Sequence, residues 1–128
     1  MAKKEESFHI SLCMWLKLQY PHVIFFSESS GMRLSIGQAV KLKKLRSLAK
    51  GLPDLFIAEP RGKYNGLFLE LKRADTKLYK KDGSPVNEHI KEQREILAKL
   101  NNKGYMATFG IGFDDTKKII DTYLSVIK

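Results

Sequence analysis

Residues 53–72 read PDLFIAEPRGKYNGLFLELK, and the two short apolar runs inside that stretch decide how the chain is read. Pro53 to Ala58 and Gly66 to Lys72 are separated by Glu59 to Asn65, a segment full of turn formers, which predicts a β-hairpin. In the second strand, alternation sends Leu67, Leu69 and Leu71 to one face and Phe68, Glu70 and Lys72 to the other. Asp54 opens the first strand, and hairpin pairing brings its carboxylate toward the Glu70 side. Glu and Lys at i and i+2 usually mark a solvated face. Here they interrupt a run too apolar for a casual surface strand, so acid and base inside it need a reason.

Working outward, Phe8, Leu12, Trp15, Leu16 and Gln19 recur at helical spacing over residues 5 to 19, and Pro21 ends the run. His22 to Phe26 reads as a strand, and Ser27 to Arg33 as a Ser/Gly-rich loop. Ser35 caps a helix that Gly51 stops, with Ile36, Ala39, Val40 and Leu45 on one apolar side. Residues 73–86 are polar and basic, with Asp82-Gly83 and Pro85, and predict a long loop, mobile without nucleic acid. Asn87 caps a helix through Asn101, and Tyr105 to Gly110 form a strand. Asp114 or Asp115 opens a last helix with Ile119, Ile120, Tyr123, Leu124 and Ile127 inward. The predicted order is α-β-α-β-β-α-β-α, an α/β chain of one domain over residues 1–128.

Composition narrows the partners. The 128 residues carry 23 Lys and Arg against 14 Asp and Glu, a net charge of +9 that attracts polyanions, nucleic acid first among them. No apolar run approaches the roughly 18 to 20 residues needed to cross a bilayer, so no membrane partner is expected. A single cysteine, Cys13, excludes an internal disulfide and a multi-cysteine metal site and fits a reducing, cytoplasmic setting.

Two carboxylates beside an ammonium suit phosphodiester hydrolysis. Asp54 and Glu70 provide hard oxygen ligands for Mg²⁺, and Lys72 orients a water or offsets charge on the phosphate. The backbone carbonyl of Leu71 is a further candidate ligand. Lys41, Lys43, Lys44, Arg46 and Lys50 on the second helix, with Arg73, Lys77, Lys80 and Lys81 in the long loop, are expected to contact DNA phosphates; a solvated basic face is the alternative for each.

The ordered set Gly51-Leu52-Pro53-Asp54-Leu55, Leu67-Phe68-Leu69-Glu70-Leu71-Lys72-Arg73, Glu92-Gln93 on a helix and Gly104-Tyr105 opening a strand resembles the virus-type replication and repair nuclease (VRR-NUC) domain of the PD-(D/E)xK superfamily. The resemblance spans roughly residues 20 to 110. It implies a restriction-endonuclease-like core, a central mixed β-sheet flanked by α-helices. It further implies Mg²⁺ dependence, with Mn²⁺ able to substitute, and structure-selective DNA cleavage in a bacterial or phage-infected cytoplasm. Family members of this size look like homodimers that act on branched DNA such as four-way junctions.

The resemblance also implies roles for two further residues. Gln93, inward beside Ile90, Leu97 and Leu100, matches the family's glutamine, which would hold the attacking water or Lys72; a structural hydrogen-bond network is the alternative. Glu28 stands where the superfamily often contributes a carboxylate ligand. Its Ser-Glu-Ser-Ser surroundings depart from the Asn- or His-rich pattern, leaving a plain loop glutamate open. Gln38 is a weaker candidate, and His9, His22 and His89 are too scattered to form a metal site. A sequence-specific restriction-type nuclease and a non-catalytic basic nucleic-acid-binding module are the competing functions.

Overall fold

The computed structural model of the chain describes residues 2–27, 35–48 and 51–127. Its elements follow the expected order: α1 (Ala2–Gln19), β1 (Phe25–Ser27), α2 (Ile36–Lys44), β2 (Leu55–Ile57), β3 (Leu67–Lys72), α3 (Glu88–Asn102), β4 (Met106–Ile111) and α4 (Gly112–Ser125). The strands form one mixed sheet in the order β1-β2-β3-β4. Successive pairs are antiparallel, antiparallel and parallel. A hairpin therefore joins β2 to β3, while α3 makes the crossover that a parallel β3–β4 pair requires.

Alternation along the strands splits the interior into two layers. Leu55, Ile57, Leu67 and Leu69 pack with Leu12 and Leu16 of α1 and with Ile120, Tyr123 and Leu124 of α4. On the other face Phe68 and Ala107 pack with Leu97 and Leu100 of α3. Ordinary burial energies make the first layer the main source of stability, since the side chains of Leu12, Leu16, Leu55, Ile57, Leu67, Leu69 and Ile120 are fully buried. Polar ties fix the helices to it. Tyr20 donates to Asp121 at 2.6 Å, joining α1 to α4, and Tyr123 donates to the Glu59 carbonyl at 2.7 Å, joining α4 to the hairpin turn.

Local chemistry accounts for the boundaries and for several departures from the sequence reading. Asn87 caps α3 through Ile90 N–H at 2.9 Å, and Ser35 caps α2 in a reciprocal box with Gln38. α2 ends at Lys44, well before Gly51, and among the described residues none of its side chains is buried; Ile36 and Leu45 are 87% and 80% exposed. Its spacing is amphipathic, yet among the described residues the apolar side stays largely exposed. β1 begins at Phe25 because Pro21 and His22 lie in a turn, and three residues pair with the equally short β2. α4 starts at Gly112, whose φ of +82° swings the chain directly from β4 into the helix. Asp114 and Asp115 thus lie in its first turn, with Asp115 reaching back to Ile111 N–H at 2.9 Å. Ile127 falls beyond the helix and is exposed.

Residues 78–86, expected as irregular loop, close into a small hydrogen-bonded turn. Tyr79 bridges Pro85, Val86 N–H donates to Leu78 carbonyl at 2.9 Å, and Asp82 accepts from both Ser84 N–H and its hydroxyl. Leu78 is buried and anchors the turn, and the Arg94 guanidinium of α3 lies 5.7 Å from the Tyr79 ring centroid.

Candidate active site

The register of the hairpin sets the site. Leu55 pairs with Leu69, Phe56 with Phe68 and Ile57 with Leu67, so one step further Asp54 comes opposite Glu70. Asp54 lies just before the first residue of β2, where the backbone of Leu71 has lost its strand partner. The Asp54 carboxylate fills that gap, accepting Leu71 N–H at 2.8 Å. A residue's N–H and C=O leave a strand on the same side, so the Leu71 carbonyl projects toward the same open edge. Ser27 of β1 donates to the Asp54 carbonyl at 3.3 Å and steadies this corner.

Glu70 and Lys72 occupy the α3 face together with Phe68, as alternation requires. Glu70 is half-buried, with Phe109 of β4 as its register partner. Its carboxyl is pushed up to about 10, first by burial, then by its hydrogen bond to Asp54 and by the negative charge there; Lys72 acts in the opposite direction. Two acids forced together in a half-buried corner, one of them retaining its proton, constitute a deficit of positive charge. α3 runs back antiparallel to β3, and its Leu97 and Leu100 cover Phe68. One turn earlier, Gln93 therefore lies over the Glu70–Lys72 end of the strand. Its Oε1 is buried with no hydrogen-bond partner among the described residues.

These features fit a divalent cation. Asp54 and Glu70 supply hard oxygens and cancel part of its charge, the Leu71 carbonyl faces the same edge, and an orphaned amide oxygen looks for a donor. Among the described residues no three His, Cys, Asp or Glu side chains gather at one point. The acid pair would leave further positions to backbone and water, as Mg²⁺ tolerates.

The remaining expected residues divide. Lys41, Lys43 and Lys44 on α2, and Lys77, Lys80 and Lys81 around the turn, are exposed. Arg46 is half-buried. Arg73 differs too. Its guanidinium forks onto Asp75, with bonds of 3.1 and 2.9 Å, and lines a cleft of about 570 Å³ with Phe8, Gly112 and Phe113 on the α1–α4 side, away from Glu70. Glu28 and Lys50 lie outside the described residues. Cys13 packs against the main core, and burial raises its thiol, contrary to what a nucleophile needs. Sequence reasoning missed the Asp54–Leu71 bond and the Arg94–Tyr79 contact. Only the length of β2 and the folded turn reveal them.

Among the described residues no helix is long and apolar enough to cross a membrane. No family model matches the chain, and no curated protein matches it. A search of solved structures finds a VRR_NUC domain protein at a TM-score of 0.69 and 22% identity, over 97% of this chain and 90% of that one. The chain therefore has the fold of a VRR_NUC domain, the α/β core of central mixed sheet and flanking helices that its motifs imply.

Proposed function

We propose that this chain is a Mg²⁺-dependent endonuclease that hydrolyses phosphodiester bonds in branched DNA such as a four-way junction. The observation that carries the reading is the meeting of Asp54, Glu70 and Lys72 at one end of the sheet, next to the crossover helix. A shared fold supports a nuclease without specifying its substrate.

Asp54 and Glu70 would hold the cation, with the Leu71 carbonyl and, from the segment outside the described residues, Glu28 as further oxygen donors. When bound, the ion supplies Lewis-acid stabilisation of the phosphate and makes water a stronger nucleophile at neutral pH. The rest falls to the chain. Glu70 releases its proton when positive charge enters the pair, Gln93 Oε1 accepts a hydrogen bond from the attacking water, and Lys72 offsets charge growing on the phosphate oxygens. Lys77, Lys80 and Lys81, with the lysines of α2, would grip neighbouring phosphates without reading bases. Mn²⁺ is expected to substitute for Mg²⁺.

Paired incision of a four-way junction needs two sites, which a homodimer of so small a chain supplies. The setting would be the cytoplasm of a bacterium, with or without phage.

The test is a Mg²⁺-dependent cleavage assay over single-stranded, duplex, flap and four-way-junction DNA of matched sequence, run with the native chain and Lys72→Ala. Junction cleavage abolished by EDTA and strongly reduced in the variant is expected. Salt-sensitive binding indifferent to EDTA and without product would make the chain a binding module instead, and cutting of the linear duplex alone would indicate a sequence-specific nuclease. Light scattering during the assay tests the dimer.

A further inference from the structure

The face of the sheet that holds Glu70 carries a second row beside the acids. Phe26 pairs with Phe56, Phe56 with Phe68 and Phe68 with Ala107, so these four side chains cross the sheet in line, one from each strand. Asp54 and Glu70 lie two residues along β2 and β3 from Phe56 and Phe68. At the rise of an extended strand the two rows are about 7 Å apart. Phe26, one strand spacing further across, is roughly 8 Å from Asp54 on the same dimensions, within one nucleotide of a phosphate there.

The row is covered at one end and open at the other. α3 buries Phe68 and Ala107, which are 6% and 7% exposed. Phe56 is half-buried, stacked on Phe68 with ring centroids 4.4 Å apart, and Tyr105 meets both rings edge-on. Phe26, on the edge strand, is 64% exposed, and Ile24 on the same face is 73% exposed. A lone exposed apolar side chain is ordinary. An exposed aromatic continuous with a stacked pair, two residues from the acid row, is a platform whose upper surface is largely open among the described residues.

We propose that Phe26, with Phe56 beside it, stacks an unpaired base adjoining the phosphate that a cation at Asp54 and Glu70 would hold, so that the chain prefers DNA whose strands are separated at the cut. The net charge of +9 favours a polyanion as the occupant of this exposed aromatic surface. Aromatic rings take any base by its π-face, which suits recognition of unpaired structure without sequence. In an intact duplex the bases are stacked on one another, and the row has nothing to accept. The proposal rests on the nuclease reading for where the phosphate sits.

The experiment is a titration in EDTA, where no strand is cut. A short single-stranded oligodeoxynucleotide bearing a fluorescent purine analogue, and the corresponding duplex, are titrated with the native chain and with Phe26→Ala, Phe26→Leu and Phe26→Tyr. The native chain should bind the single strand and quench the analogue. Phe26→Ala and Phe26→Leu should weaken that binding by roughly 5- to 150-fold, the range expected for one aromatic–base stack, and Phe26→Tyr should retain it. Duplex affinity and melting temperature should not move. No binding to the single strand by the native chain, native-like binding by Phe26→Leu or Phe26→Ala, or equal loss on both DNAs would overturn the proposal. So would light scattering in which Phe26→Ala turns a dimer into a monomer, because a second copy would then cover the row. Stacking observed here without cleavage in the Mg²⁺ assay would remove the nuclease reading and leave the platform standing.

Discussion

Asp54 accepts the backbone N–H of Leu71 at 2.8 Å, so one carboxylate oxygen completes a strand edge while the side chain also faces Glu70. Structure and chemistry share this residue. Asp54→Ala leaves a half-buried N–H without its acceptor, a cost of about 1–3 kcal/mol, whereas Asp54→Asn keeps an acceptor oxygen. Both variants should lose cleavage by at least a hundredfold, but only the alanine variant should melt several degrees lower. Parallel denaturation curves and single-turnover assays check this, and a cleaving Asp54→Asn would remove the ligand role.

The raised carboxyl of Glu70 gives a pH signature to the metal-free chain. Its folded value is about 10 against an ordinary 4.5, so the native state holds a proton that the unfolded chain releases between those limits. This contribution to stability is fully present below about pH 4.5 and is lost as pH rises toward 10. Glu70→Gln, neutral throughout, should therefore melt higher than the native chain at pH 8 in EDTA and nearly equally at pH 4.5. It should also be inactive. A constant difference across that range in melting scans would contradict the assignment.

The basic turn after β3 should act through phosphates. Replacing Lys80 and Lys81 with Glu should weaken DNA binding across all sequences and make it less salt-dependent, the slope of log affinity against log salt falling by about one for each lysine lost. Arg73→Ala, which removes a side chain already held by Asp75 on the far side, should change that slope little. Titrations at several salt concentrations separate the two.

Gly112 supports the site from behind. Its φ is +82°, and an added Cβ would come 2.9 Å from the Ala74 side chain and 3.1 Å from its Cα, two residues past Lys72. Gly112→Ala should cost about 1–3 kcal/mol and lower cleavage by displacing the turn that follows β3. A native melting temperature in this variant would mean that the strand-to-helix junction tolerates a side chain.

Much of this is legible in the sequence. The order of eight elements follows from apolar period and turn chemistry, and the faces of β3 from alternation alone: Leu67 and Leu69 lie in one layer, Phe68 in the other. Asn87 was readable as a cap because its side chain needs only a neighbour three residues on. Local interactions of this kind are written locally.

Tertiary structure decided what depends on register and cover. Periodicity gave α2 an apolar side, but whether another surface reaches Ile36 and Leu45 is a long-range question that spacing does not encode. The Asp54–Leu71 bond exists because β2 begins only at Leu55, and the phenylalanine row exists because three strands align with one another. Residue types fix which chemistry is possible. Pairing between distant segments fixes which side chains meet, since each register shift of one residue sends a side chain to the opposite face.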